Sequence, residues 1–115
     1  MLVTCWPYVR EGAYLASVYG NAHLDVSYAI PFLTARELHA VTHEALGCAP
    51  GSRILYSSDA VGLPEQHWLG AMRGRRALGA ALGDMVILGD MSANEARRLA
   101  HLILHENSER IYALS

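Results

Sequence analysis

Asp59 is the carboxylate best placed for chemistry. It follows Ser57 and Ser58 at the end of a short run of strand-forming residues, Arg-Ile-Leu-Tyr-Ser-Ser at 53–58. A carboxylate directly after a strand can ligate a metal ion or take a proton from a bound water. The same position suits a cap, in which the side chain accepts from the free N–H groups of the turn or helix that follows. His39 with His43, and His101 with His105, have the i, i+4 spacing at which two imidazoles on one helix can chelate zinc. Neither pair has a convincing third ligand, although Glu44 and Glu106 lie nearby, and both sit beside or opposite apolar stripes, where solvated side chains belong. His23 shares a polar strand face with Asp25, and His67 stands alone. Arg73, Arg75 and Arg76 form a short basic cluster, which in a chain of negative net charge reads as a solvated face. Cys5 reads as a buried thiol or as a nucleophile to which the sequence assigns no histidine partner. The stretch GDMVILGD at 83–90 lacks the spacing and the lysine of a phosphate-binding loop.

These groups need elements to position them. Residues 2–5 form a brief apolar run stopped by Trp6-Pro7. Val9, Ala13, Ala16 and Tyr19 share a helical face, and Gly20-Asn21 tolerates the left-handed conformation common just after helices. Residues 22–27 alternate, with Ala22, Leu24 and Val26 on the apolar side, as in a strand with one buried face. Thr34 and Glu37 form a capping box opening a helix that buries Leu38, Val41, Ala45 and Leu46 and stops at Gly47. The strand at 53–58 follows. Pro64 suits the first turn of the next helix, which runs to about Leu82 with Trp68, Met72, Leu78 and Leu82 inward. Ser92 and Glu95 repeat the capping box before a last helix striped by Ala96, Leu99, Ala100 and Ile103.

The expected fold class is therefore α/β, in the order β-α-β-α-β-α-α, with three parallel βα units forming one domain over residues 1–115. Binding and catalytic groups in such folds gather where strands end, here at Thr4-Cys5-Trp6, Asp25-Val26-Ser27-Tyr28 and Ser57-Ser58-Asp59. Three strands are thin for a parallel sheet, and the first begins at Met1 without a lead-in turn, as in a fragment of a larger fold.

Composition narrows the functional classes. The 115 residues are 52% hydrophobic and 17% charged, which describes a folded chain. A net charge of −2 offers no broad field for nucleic acid or an anionic membrane. No uncharged apolar run approaches the roughly 18–20 residues that span a bilayer, and MLVTCWPY does not read as a signal peptide. Two cysteines are too few for a disulfide scaffold, which favours a cytoplasmic setting.

Taken together, CWPYVREGAYLASVYGNAHLDVSYAIPF, ILYSSDAVGLPEQHWLGA and LILHENSERIYAL resemble the closing part of metal-dependent amidohydrolases of the amidohydrolase-2 type. The nearest likeness is to amidohydrolase-like domains found alone or fused to a glutamine-synthetase-like domain. The likeness runs along nearly the whole chain. Its most specific parts are S-S-D-A after the third strand and N-x-x-R-x-Y-x-L in the last helix.

The resemblance implies a (β/α)8 barrel, of which this chain supplies strands six to eight; a full barrel needs about 200 residues or more. It implies a divalent metal, usually zinc, in the complete protein. Asp59 matches the aspartate that contacts the metal or its water and takes the proton as hydroxide attacks a carbonyl-type carbon. Trp6, Tyr28 and Val61 become candidates for the substrate-pocket wall or, equally, ordinary packing around the loops. The family's His-x-His and strand-five histidine have no counterpart, and Thr4 occupies the place of another histidine. A hydroxyl is a poor zinc ligand, and one surviving carboxylate does not make a zinc site, so the chain alone is expected to bind none and to be inactive. The expected function is that of a fragment of an enzyme that hydrolyses or decarboxylates a small substrate; the alternative is a non-catalytic interaction or scaffold module. A third reading is an independent small α/β binding domain. Open strand edges call for self-association, a partner chain supplying the missing strands, or an unstable product.

Overall fold

A computed structural model describes residues 7–26, 33–56 and 62–113. Helix α1 (Val9–Val18) leads to strand β1 (Leu24–Asp25), helix α2 (Ala35–Cys48), a single 3-10 turn (Gly51–Arg53) and strand β2 (Ile54–Leu55). Helix α3 (Pro64–Ile87) follows, and then one unbroken helical rod: α4 (Ala93–His101), a π-helical stretch (Leu102–Glu106) and α5 (Asn107–Ile111).

The strands are parallel, with Leu24 opposite Ile54 and Asp25 opposite Leu55. The Val26 N–H extends the ladder by donating to the Leu55 carbonyl at 3.2 Å. Parallel neighbours need a long crossover, and α2 supplies it. The strands start no earlier because the preceding backbone donors are already engaged: Ala22 N–H donates to Tyr19 and Arg53 N–H to Pro50, each closing a turn.

The helix starts follow local chemistry. Thr34 and Ser92 accept at their hydroxyls from the N–H groups of Glu37 and Glu95 at 3.3 and 3.1 Å. Pro64 is the first residue of α3. That helix runs past Leu82 to Ile87 and closes with Gly89 at φ +83°. There the Gly89 N–H donates to Val86 and the Asp90 N–H to Met85, the paired bonds of a Schellman end. The stretch 83–90 is thus the end of a helix. By contrast, α1 ends on Tyr19 in an extended conformation (φ −100°), and no left-handed residue stops it.

The core forms where α1, α2, α3 and the last rod close around the two strands. Ala13, Ala16, Leu24, Ala45, Ile54, Leu78, Leu82 and Ile103 are all buried there. Small residues on α1 permit close approach, while the large side chains come from the strands and the later helices. Trp68 and Tyr19, expected inward, stand 66% and 57% exposed.

The expectation of three parallel βα units is corrected by this structure. Among the described residues 73% are helical, and the sheet has two strands of two residues each. The expected strand at 22–27 contributes Leu24 and Asp25, and that at 53–58 contributes Ile54 and Leu55. The segment 2–5 lies outside the described residues. The described residues are mostly helical, with one parallel strand pair among them.

Candidate functional site

Asp59, Thr4, Cys5, Trp6, Tyr28 and Val61 lie outside the described residues. What the structure does describe is the scaffold leading to Asp59: the 3-10 turn, β2, and Tyr56 just beyond it.

That turn is held from the last helix. Asn107 is fully buried, and its Nδ2 donates to the carbonyls of Gly51 and Ile54 at 2.7 and 2.8 Å. One turn further along, the Arg110 guanidinium donates to the Ser52 carbonyl. Three carbonyls around the start of β2 are therefore fixed by two side chains of α5. Asn107 Oδ1 is buried and finds no hydrogen-bond partner among the described residues. A Cβ on Gly51 would collide with the Leu99 side chain, so the turn also sits tightly against α4. Arg53 ties the turn to α1 by donating to the carbonyls of Ala16 and Tyr19 at 2.7 and 2.8 Å. The Ala16 carbonyl belongs to the last turn of α1, where a guanidinium suits the partial negative charge, and the Tyr19 carbonyl takes this bond besides that from the Ala22 N–H.

Tyr56 anchors the other end of β2. Its hydroxyl donates to the Gly70 carbonyl, and its ring lies where a Cβ on Gly74 would stand. The two glycines, four apart on α3, form the seat for this ring. Burial pushes the Tyr56 hydroxyl from 10.0 up to about 12, Arg75 pulls it down in part and Asp25 adds to the rise.

Of the histidine pairs, the first includes a link between two helices and the second lies exposed along one helical rod. His39 Nε2 lies 2.7 Å from Asp84 Oδ2, joining α2 to α3, and the His43 ring is 6.3 Å from that of His39. His101 and His105 rings are 5.5 Å apart, with Glu106 3.2 Å from His101 and Glu109 3.4 Å from His105. Glu106 also takes two hydrogen bonds from Arg98, at 2.6 and 3.0 Å, which hold its carboxyl below the usual range. Among the described residues no group of three His, Cys, Asp or Glu could hold a metal ion. Asp59, the ligand that the family resemblance implies, lies outside the described residues. Within the basic cluster, Arg73 donates to the Leu33 carbonyl, two residues before α2, while Arg75 and Arg76 are exposed.

Sequence reasoning missed Asn107 and Tyr56 as positioning residues. The signal for Asn107 was present: the stripe Ala96, Leu99/Ala100, Ile103 continues in step onto position 107. A polar residue on a buried stripe must find partners. Tyr56 was hidden because its seat is made by glycines, which carry no pattern of their own.

Among the described residues no helix is long and apolar enough to cross a membrane. No protein-family model and no solved structure matches the chain. The whole chain is 36% identical, over 115 residues, to part of "Protein fluG" of Emericella nidulans, and it spans 13% of that relative's length.

Proposed function

We propose that this chain is part of a metal-dependent, amidohydrolase-like protein that hydrolyses or decarboxylates a small carbonyl-type substrate, and that by itself it is inactive. Asp59 is the proton-accepting carboxylate in this reading, and Trp6, Tyr28 and Val61 border the substrate. A setting in the cytoplasm accords with the sparse cysteines.

The observation that supports the reading is the clamp of α5 on the lead-in to β2. Asn107 and Arg110 are the N-x-x-R of the family-like closing helix, and they hydrogen-bond the carbonyls of residues 51, 52 and 54. The other family-like motif, Ser57-Ser58-Asp59-Ala60, begins three residues after Ile54. The closing-helix motif is thus hydrogen-bonded to the backbone that leads into the second motif in sequence. An enzyme that must hold a carboxylate within a fraction of an ångström needs such a support.

The described residues do not supply a zinc site, so the ligands of any metal would have to come from elsewhere. Thr4 in place of a histidine favours the second reading: an interaction or scaffold module in which the metal chemistry has been lost.

The test is turnover by the gene product carrying this chain, assayed on a panel of small amides and aromatic carboxylic acids, together with its zinc content. The enzymatic reading expects Asp59→Asn to lower turnover by a factor on the order of 10² to 10⁴ with an unchanged melting temperature. Absence of both zinc and turnover in the wild type, and in Thr4→His, decides for the scaffold.

A further inference from the structure

A groove of about 570 Å³ runs between α2 and α3. Ala77 and Leu38 are buried beneath it, and Leu69, Met72 and Ala80 line its apolar side. Arg36 from the first turn of α2, and Arg73 and Arg76 from α3, stand along it with His39. No carboxylate lines it among the described residues.

The partners of these cations separate two roles. Arg73 is committed to the Leu33 carbonyl, and His39 to Asp84. These groups join the two helices and fix the walls. Arg36 and Arg76 are exposed, and neither has a hydrogen-bonding or acidic partner among the described residues. Of the arginines away from the groove, Arg10, Arg53, Arg97, Arg98 and Arg110 bond to a carboxylate, an amide or a carbonyl, and Arg75 is exposed like Arg36 and Arg76. All nine basic residues are arginines, whose planar fork matches a carboxylate or phosphate in two bonds. The start of α2, with its partial positive charge, opens on the same groove through Ala35.

We propose that this groove binds an organic anion with an apolar body, its carboxylate or phosphate head held by Arg36 and Arg76 and its body laid on Leu69, Met72 and Ala80. The volume suits a molecule of ligand size. The apolar wall explains why the head alone is insufficient: two exposed arginines hold a small, well-hydrated anion weakly in water, whereas contact with the wall adds burial. The proposal uses neither Asp59 nor the proposed reaction.

Calorimetric titration of the chain with decanoate and with decyl phosphate tests the proposal and distinguishes the two head groups. Inorganic phosphate and decanol serve as the head-only and body-only probes. Saturable one-to-one binding of at least one amphiphile is expected, weakened by added salt and reduced about tenfold by each of Arg36→Gln and Arg76→Gln. Both side chains are exposed, so circular dichroism and melting of the variants should match the wild type. Leu69→Asp provides a second variant that removes the apolar wall and should also weaken binding. Equal affinity in the wild type and the Arg36→Gln/Arg76→Gln double variant would overturn the proposal, as would decanol binding as tightly as decanoate and decyl phosphate. Lack of any binding at millimolar probe would overturn it as well.

Discussion

Asn107 shows what one side chain can do when it is fully buried. Its amide satisfies the carbonyls of Gly51 and Ile54. Asn107→Ala leaves two carbonyls without that donor in a dry environment, and we expect a loss of about 2–4 kcal/mol in urea unfolding. Tyr56 gives a prediction in pH. The folded protein keeps this phenolic proton up to about pH 12, while an ordinary tyrosine releases it near 10.0. Between those values the folded state holds more protons than the unfolded one, so stability must fall as pH rises through the window. Tyr56→Phe should lose the Gly70 hydrogen bond at neutral pH, about 0.5–1.5 kcal/mol, and should lack this alkaline component of the decline. Melting both proteins from pH 9 to 12.5 separates the two effects. The seat is equally specific: Gly74→Ala drives a methyl into the Tyr56 ring, and a cost of about 1–3 kcal/mol is expected. Replacing Tyr56 with Leu in the Gly74→Ala background should recover part of that loss, since the collision is removed.

The elements were legible to different degrees, and the reasons are physical. Helices α2 and α4 open on Thr34 and Ser92 as the sequence states, because a capping hydroxyl acts within three residues. Ser92→Ala should cost about 1 kcal/mol, read as a lower melting temperature with preserved helicity below it. The expected end at Leu82 fell short because the signal that stops α3 is Gly89, seven residues on, with its positive φ. The strands were over-read. Alternation at 22–27 is real, but a strand extends only while its backbone donors find a neighbour, and the turns at Ala22 and Arg53 take those donors first. The inward place given to Trp68 followed helical spacing. Leu78 and Leu82 are buried as expected, but the buried face is turned toward Gly70, Gly74, Ala77, Ala81 and Met85, which leaves Trp68 outside. Of the candidate site, the sequence located the closing-helix motif but not its task, because a bond spanning 56 residues is visible only in the fold.

As a whole molecule, the chain has a Cα radius of gyration of 13.3 Å. About 13 Å is typical of a folded domain of roughly this length, so wrapping helices around two short strands is enough to reach domain compactness. The surface is less settled than the size suggests, since Trp68, Tyr14, Val18 and Ile87 are all more than half exposed. In a Trp6→Phe background, Trp68 should emit like tryptophan in water and be open to acrylamide at low concentration. A blue shift that grows with concentration would show copies meeting through that face. The hold of Asn107 on Gly51 also sets an order of events during synthesis. Helices α1, α2 and α3 can each form as they leave the ribosome, and β1 can meet β2 once Leu55 is free. The carbonyls at the start of β2, however, must remain with water until the chain has grown by more than fifty further residues. A ribosome stalled before that point would release a polypeptide with most of its helices and an unlocked turn, which proteases and chaperones can distinguish from the finished chain.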